Sequence, residues 1–182
     1  KIATGIERLS TVFRAALLEE VKACGLSPLQ AQIVLFIASH GPSLCSVSKL
    51  AEEFALTKPT ISDAVRVLLE KEMLKKGPAE DARAFSLTLT ARGKKQAQKL
   101  SSLSHYFEEA LAPIPSEERK KIWEGMLLLM TQLQKTDIIP LRMCTSCQHY
   151  EARTHGFYCC LLQQSLRIED IRLDCSEHCR AA

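Results

Sequence analysis

Apolar residues open the chain at Ile2, Ile6, Leu9, Phe13, Leu17 and Val21, three or four positions apart. That spacing lays one apolar stripe along a helix. Cys24-Gly25 ends it, because glycine tolerates the left-handed turn that stops a helix. Ser27-Pro28 starts a second helix, with serine as the cap and proline in the first turn. Its inner face is Leu29, Ile33, Phe36 and Ile37, and Gly41-Pro42 closes it. A short helix is expected over 46–54, with Val47, Leu50 and Ala51 inward. Leu56-Thr57-Lys58-Pro59-Thr60 then opens a longer helix that ends near Lys71, burying Ile61, Ala64, Val65, Leu68 and Leu69.

The period changes after that helix. Phe85-Ser86-Leu87-Thr88-Leu89-Thr90 alternates apolar and polar, as a strand does. Leu74-Lys75-Lys76-Gly77-Pro78 is its expected partner, and the polar stretch 79–84 forms the charged tip of the hairpin. Thr90 caps a further helix from Ala91, with Leu100, Leu103, Phe107 and Leu111 as its stripe. Pro113 and Pro115 break it. Ser116 is expected to cap a last long helix that ends near Lys135, with Glu117 and Glu118 placed where the helix dipole favours acids.

Helix, helix, short helix, longer helix, hairpin, helix is the order of a winged helix-turn-helix. The fold expected is therefore mainly α with a small β-hairpin wing, plus a small cysteine-rich C-terminal module. The helix from Thr57 would be the recognition helix, the one from Ser46 its support, and 79–84 the wing. Four regions follow: a dimerisation helix over 1–25, the winged helix-turn-helix over 26–100, C-terminal dimerisation helices over 101–140, and the cysteine-rich tail over 141–182.

Composition narrows the class. At 46% apolar and 25% charged in 182 residues, the chain has the content of a folded domain. No run approaches the ~18–20 apolar residues of a membrane span. No secretory signal pattern is seen, and a cytoplasmic location is expected. Net charge is only +3, but residues 58–99 hold ten Lys or Arg against five acids. A local basic excess around the expected reading unit is the electrostatic footprint of a nucleic-acid binder.

Several short motifs in this order resemble the MarR family of bacterial transcription regulators. Leu26-Ser27-Pro28-Leu29-Gln30-Ala31 resembles the opening of that family's second helix. Val47-Ser48-Lys49-Leu50-Ala51-Glu52 resembles its support helix, and Thr57-Lys58-Pro59-Thr60-Ile61-Ser62 the start of its recognition helix. Asp81-Ala82-Arg83 matches the D-x-R of its wing, and Leu87-Thr88-Leu89-Thr90-Ala91-Arg92-Gly93 its L-T-x-x-G ending. The chain departs at Asp63, where the family often has arginine, and at Glu72, where it often has glycine.

The resemblance implies a homodimer on double-stranded DNA. Thr57, Lys58, Thr60, Ser62 and Arg66 would meet phosphates or base edges in the major groove, with Ser46 and Lys49 on the support helix. Arg83 would enter the minor groove, its guanidinium held by Asp81. The first and last helices would pair with a second copy: the stripe from Ile2 to Val21 and the nearly all-round apolar stretch 122–133 exceed the needs of one small core. A small-molecule effector is a further expectation of the family, and no residue identifies its site. A winged helix that binds protein rather than DNA is the alternative that Asp63 keeps open.

The tail has a chemistry of its own. Six of eight cysteines (144, 147, 159, 160, 175 and 179) fall in the last 39 residues, with His149, His155 and His178. Cys144-x2-Cys147-x11-Cys159-x15-Cys175 offers four thiolates, which suit a structural zinc with no open position. Chelation would fold a tail with too little apolar content for its own core. The tail also resembles a cysteine-rich extension of some MarR-like proteins, through Cys144 to Tyr150, Cys159-Cys160-Leu161, and Leu166 with Ile171-Arg172-Leu173-Asp174-Cys175-Ser176-Glu177-His178. That match favours Cys159 over Cys160; Cys160, Cys179 and His178 stand as substitutes. An iron–sulfur cluster uses the same four thiolates, and a thiol switch could use the spare cysteines as a redox sensor. Cys24 and Cys45 read as small core residues. No nucleophile–base pair, Gly-rich phosphate loop or cofactor fingerprint is present, so an enzyme is not expected.

Overall fold

The computed structural model describes residues 1–78, 85–100, 102–136, 138–154 and 156–181. It falls into two compact units, Lys1–Ala112 and Pro113–Ala182.

In the first unit, α1 (Ile2–Cys24) ends at Gly25, whose φ of 62° is the left-handed stop expected from the sequence. α2 (Pro28–Ser39) begins with a complete capping box: Ser27 accepts from the Gln30 amide, and the Gln30 side chain accepts from the Ser27 amide. A 3-10 turn, Pro42–Leu44, leads to α3 (Val47–Glu53) and then α4 (Lys58–Glu70), capped by Ser46 and Thr57. β1 (Leu74–Pro78) and β2 (Phe85–Leu89) pair antiparallel from Leu74 opposite Leu89 to Pro78 opposite Phe85. The expected single helix after Thr90 is described as α5 (Ala91–Leu100) and α6 (Ser102–Leu111), on either side of residue 101.

One core joins these elements. Ile33, Leu50, Ile61, Leu68, Leu87 and Leu100 are almost fully buried in it, as the expected inner faces of α2 to α5 and β2 require, whereas Leu111 of the stripe expected to follow Leu100 is exposed. α1 behaves differently along its length. Leu17 and Val21 are in the core, whereas Ile2, Ile6, Leu9 and Phe13 are exposed. Phe13 meets Phe107 of α6 with ring centroids 5.9 Å apart.

The joint between α4 and α5 is set by backbone geometry. Glu72 has a φ of 57°, the left-handed conformation that glycine takes without strain. Thr90 ties this turn down: its hydroxyl donates to the Glu72 carbonyl at 2.6 Å and accepts from the Gly93 amide at 3.1 Å.

The second unit contains α7 (Ser116–Leu133), a 3-10 turn Gln134–Thr136, and a small sheet. The expected cap at Ser116 is corrected: Ser116 is already inside the helix, and Pro115 precedes it without a side-chain bond. The sheet has three antiparallel strands, β3 (Tyr150–Arg153), β4 (Gly156–Cys159) and β5 (Gln164–Leu166), in that order. The tail's core is not its own but is shared with α7. Leu127, Met143, Leu166 and Ile171 are buried together, with Trp123, Met130, Tyr150 and Phe157 packed against them. The Trp123 indole donates to the Ile168 carbonyl at 2.8 Å. α7 therefore gives one apolar face to the tail, while Ile122, Met126, Leu128 and Leu133 stay exposed.

Candidate functional site

α3 and α4, the expected support and recognition helices, are built by their caps. Ser46 accepts from the Lys49 amide at 3.3 Å and so starts α3. Lys49 stays on the surface, its ammonium 3.0 Å from Glu52. Thr57 accepts from the Thr60 amide, and the two hydroxyls lie 2.8 Å apart. Pro59 in the first turn lacks the amide hydrogen that a helix start leaves unpaired anyway.

Thr57, Lys58, Thr60, Ser62 and Arg66 are all exposed, while Ile61, Ala64, Val65 and Leu68 of the same helix are buried. One face of α4 thus holds the core and the other presents hydroxyls and cations. The electrostatics of that face differ from the simple expectation. Arg66 donates to Glu70 at 2.8 Å and stands 3.9 Å from Asp63. With Lys58 and Arg66 against Asp63 and Glu70, α4 carries no net charge. The basic excess lies beside it, on Lys71, Lys75, Lys76, Arg92, Lys94, Lys95 and Lys99. Asp81 and Arg83, the expected wing contacts, lie outside the described residues.

An open cleft of about 790 Å³ lies in the same unit, between the end of α2, the hairpin and α5. Leu35, Leu87 and Ala97 give it apolar walls, and Thr88, Lys75 and Lys94 its polar groups. It was not legible in the sequence, because its lining comes from four separate stretches.

The tail gathers its cysteines by backbone bonds. A 3-10 turn carries Cys144, and the Cys147 amide donates to the Cys144 carbonyl at 3.0 Å. Cys159 ends β4 opposite Tyr150. The Cys175 amide donates to the Arg142 carbonyl at 2.9 Å, and the buried Arg142 guanidinium holds Asp174 at 2.7 Å. Cys144, Cys147, Cys159 and Cys175 consequently line one cavity, of about 30 Å³, with Tyr150, Leu161, Leu162 and Leu166. The Arg172 amide donates to Cys144 Sγ at 3.2 Å. Burial pushes the Cys144 thiol up, the Arg172 amide pulls it down, and Cys175, Cys147 and Cys159 add negative charge that raises it.

The substitutes lie elsewhere. Cys160 donates to Glu151 at 3.0 Å, and that bond keeps its thiol protonated above the ordinary range. Cys179 is exposed. His178 Nε2 is 3.0 Å from the Ser146 hydroxyl, which in turn meets Gln134 at 2.5 Å. His149 is at the cavity, and His155 lies outside the described residues. Cys45 is buried, its thiol pushed up to about 11 by that burial, as suits a core residue. Among the described residues, no group of three or more His, Cys, Asp or Glu stands in a geometry that could hold one metal ion. The expected single-zinc site is therefore without support from the geometry, although its four thiols share a cavity.

The family comparison rests on residues 25–84, about a third of the chain, which match the MarR family. The match covers α2, α3, α4 and β1 and stops before β2. No curated protein matches the chain. Among solved structures, the fold resembles the MepR–DNA complex of Staphylococcus aureus, at 18% identity and a TM-score of 0.62 over 74% of this chain and 99% of that one. It resembles the transcriptional regulator PA3341 at 21% identity and a TM-score of 0.64, over 74% and 99%. A transcriptional regulator of Thermotoga maritima matches at 19% and 0.54, over 74% and 95%. At these identities the likeness is one of fold alone. No helix among the described residues is long and apolar enough to cross a membrane.

Proposed function

We propose that this chain is a MarR-type transcriptional regulator that binds double-stranded DNA as a homodimer. The observation that carries the reading is the exposed row of Thr57, Lys58, Thr60, Ser62 and Arg66 at the start of α4, in a segment that matches the MarR family. A helix N-terminus with hydroxyls and an ammonium is suited to the major groove, and the neighbouring lysines to the phosphates. Arg83 with Asp81 would supply the wing contact, and Ser46 and Lys49 would contact the backbone. MepR, which shares the fold, has been solved on DNA.

Dimerisation is supported by the exposed apolar residues Ile2, Ile6, Leu9 and Phe13 on α1 and Tyr106 and Leu111 on α6. An apolar strip of that length on a helix marks an interaction surface. The cleft bounded by Lys75, Thr88 and Lys94 has the size of small-molecule sites, and an effector would act there.

The tail is a metal-binding module in this reading. The four thiols of Cys144, Cys147, Cys159 and Cys175 are the donor set of a structural zinc or an iron–sulfur cluster.

Titration of a mixed duplex pool at two salt concentrations tests the DNA reading. Binding should weaken steeply with salt, because each phosphate neutralised contributes about 0.9 to the logarithmic slope. No binding at low salt would leave the protein-binding winged helix.

A further inference from the structure

The exposed face of α4 has a centre and two flanks. At about 100° per residue, Ile61, Ala64, Val65 and Leu68 define the buried direction. Asp63 and Arg66, both exposed, straddle the opposite direction, each within about 30° of it. Thr60 and Ser62 stand about 70–90° away, one on each side. A helix lying in the major groove turns its outermost line to the base edges and its flanks to the phosphates. The two hydroxyls therefore suit phosphates, and Asp63 and Arg66 suit bases.

These two side chains come as a couple. They are three residues apart on one face, and Arg66 Nη2 stands 3.9 Å from Asp63 Oδ1. On the other side Arg66 Nη1 donates to Glu70 at 2.8 Å. Each terminal nitrogen of a guanidinium carries two N–H groups, so a bond to an acid leaves one to donate elsewhere. The Asp63 side chain is 79% exposed, and its carboxylate can only accept. Together they present a forked donor beside an acceptor.

Base pairs answer that pattern differently. In the major groove guanine shows two neighbouring acceptors, N7 and O6, and its cytosine partner shows the N4 donor next to them. Arginine spans the two acceptors, and a carboxylate accepts from the N4 donor. An A·T pair places one donor between two acceptors, which leaves the fork half used and sets the carboxylate against thymine O4.

We propose that Asp63 and Arg66 together read one G·C pair in each half-site, Arg66 taking the guanine and Asp63 the cytosine. The proposal rests on the DNA-binding reading and adds the sequence preference of α4. Asp63 is then a specificity-determining residue. Phosphates repel its charge on every sequence, and only cytosine returns a bond to it.

The test is selection from a random duplex library with the full wild-type chain, followed by titration of duplexes that differ only at the assigned pair, against wild type and Asp63→Asn. The wild type should enrich a half-site containing a G·C pair and bind less tightly when A·T replaces it. Asp63→Asn should lower that preference by about five-fold or more, because asparagine pairs with adenine, while it binds unrelated duplexes more tightly. An acid that only repels phosphates shifts every duplex by one factor. An unchanged preference in Asp63→Asn would therefore overturn the proposal and leave DNA binding in place. So would a selected half-site without a G·C pair, or an Asp63→Asn protein that is folded by circular dichroism and binds no duplex. No shared sequence from folded wild type would overturn the DNA-binding reading and the proposal with it.

Discussion

Arg66 and Glu70 are joined across one turn of α4, guanidinium to carboxylate at 2.8 Å, with Asp63 3.9 Å away on the other side. An exposed cation of α4 is thus engaged by its own helix. Such exposed pairs are weak and give way readily to a stronger partner. A phosphate or guanine is such a partner, and the two acids then oppose the approach of DNA. Replacing them should help. Glu70→Gln and Asp63→Asn are each expected to tighten duplex binding several-fold at low salt, and Arg66→Ala to weaken it at least as much. Fluorescence anisotropy on one duplex checks all three.

Gly93 is required by its neighbour. A Cβ there would fall on the Met73 carbonyl oxygen, a backbone atom that cannot move aside. Gly93→Ala is expected to destabilise the first unit by about 1–3 kcal/mol, the range of overpacked sites. Thermal unfolding followed by circular dichroism reads it as a lower Tm.

Glu72 offers the reverse case. Its φ of 57° is a conformation that costs an L-residue about 1–2 kcal/mol relative to glycine. Glycine loses part of that advantage through its freer unfolded chain. Glu72→Gly should therefore raise stability by up to about 1 kcal/mol, measured by urea unfolding with an unchanged m-value.

The α1 strip should govern assembly. Leu9 is 64% exposed, so a charge there costs nothing in the isolated fold. Within a dimer it would place charges in an apolar seam. Leu9→Glu is expected to convert the protein from dimer to monomer at micromolar concentration in sedimentation velocity, without lowering its helix content.

Much of the first unit was legible because its signals are local. Ser27-Pro28 capped α2, Gly25 stopped α1, and the alternation from Phe85 to Leu89 gave β2. The pairing of Arg66 with Glu70 follows from their spacing of four, one helical turn, which a charge sum over residues 58–99 does not register. The tail was harder. Its strands are three or four residues long, too short for a period to register. Its core depends on Trp123 and Leu127 of α7, which the stripe alone assigned to a dimer seam. The cysteine spacing offered a candidate donor set, but which cysteines meet at one cavity depends on how the sheet and the loop at Cys175 fold around it.

Selection from a random duplex library with the full-length chain tests the DNA-binding dimer most directly. The account predicts enrichment of a two-fold symmetric sequence with half-sites about one helical turn apart, as expected for two recognition helices in successive major grooves. That enrichment should disappear when Thr60 and Arg66 are both replaced by alanine. A library that returns without any shared sequence, from protein that is folded and dimeric, would contradict it.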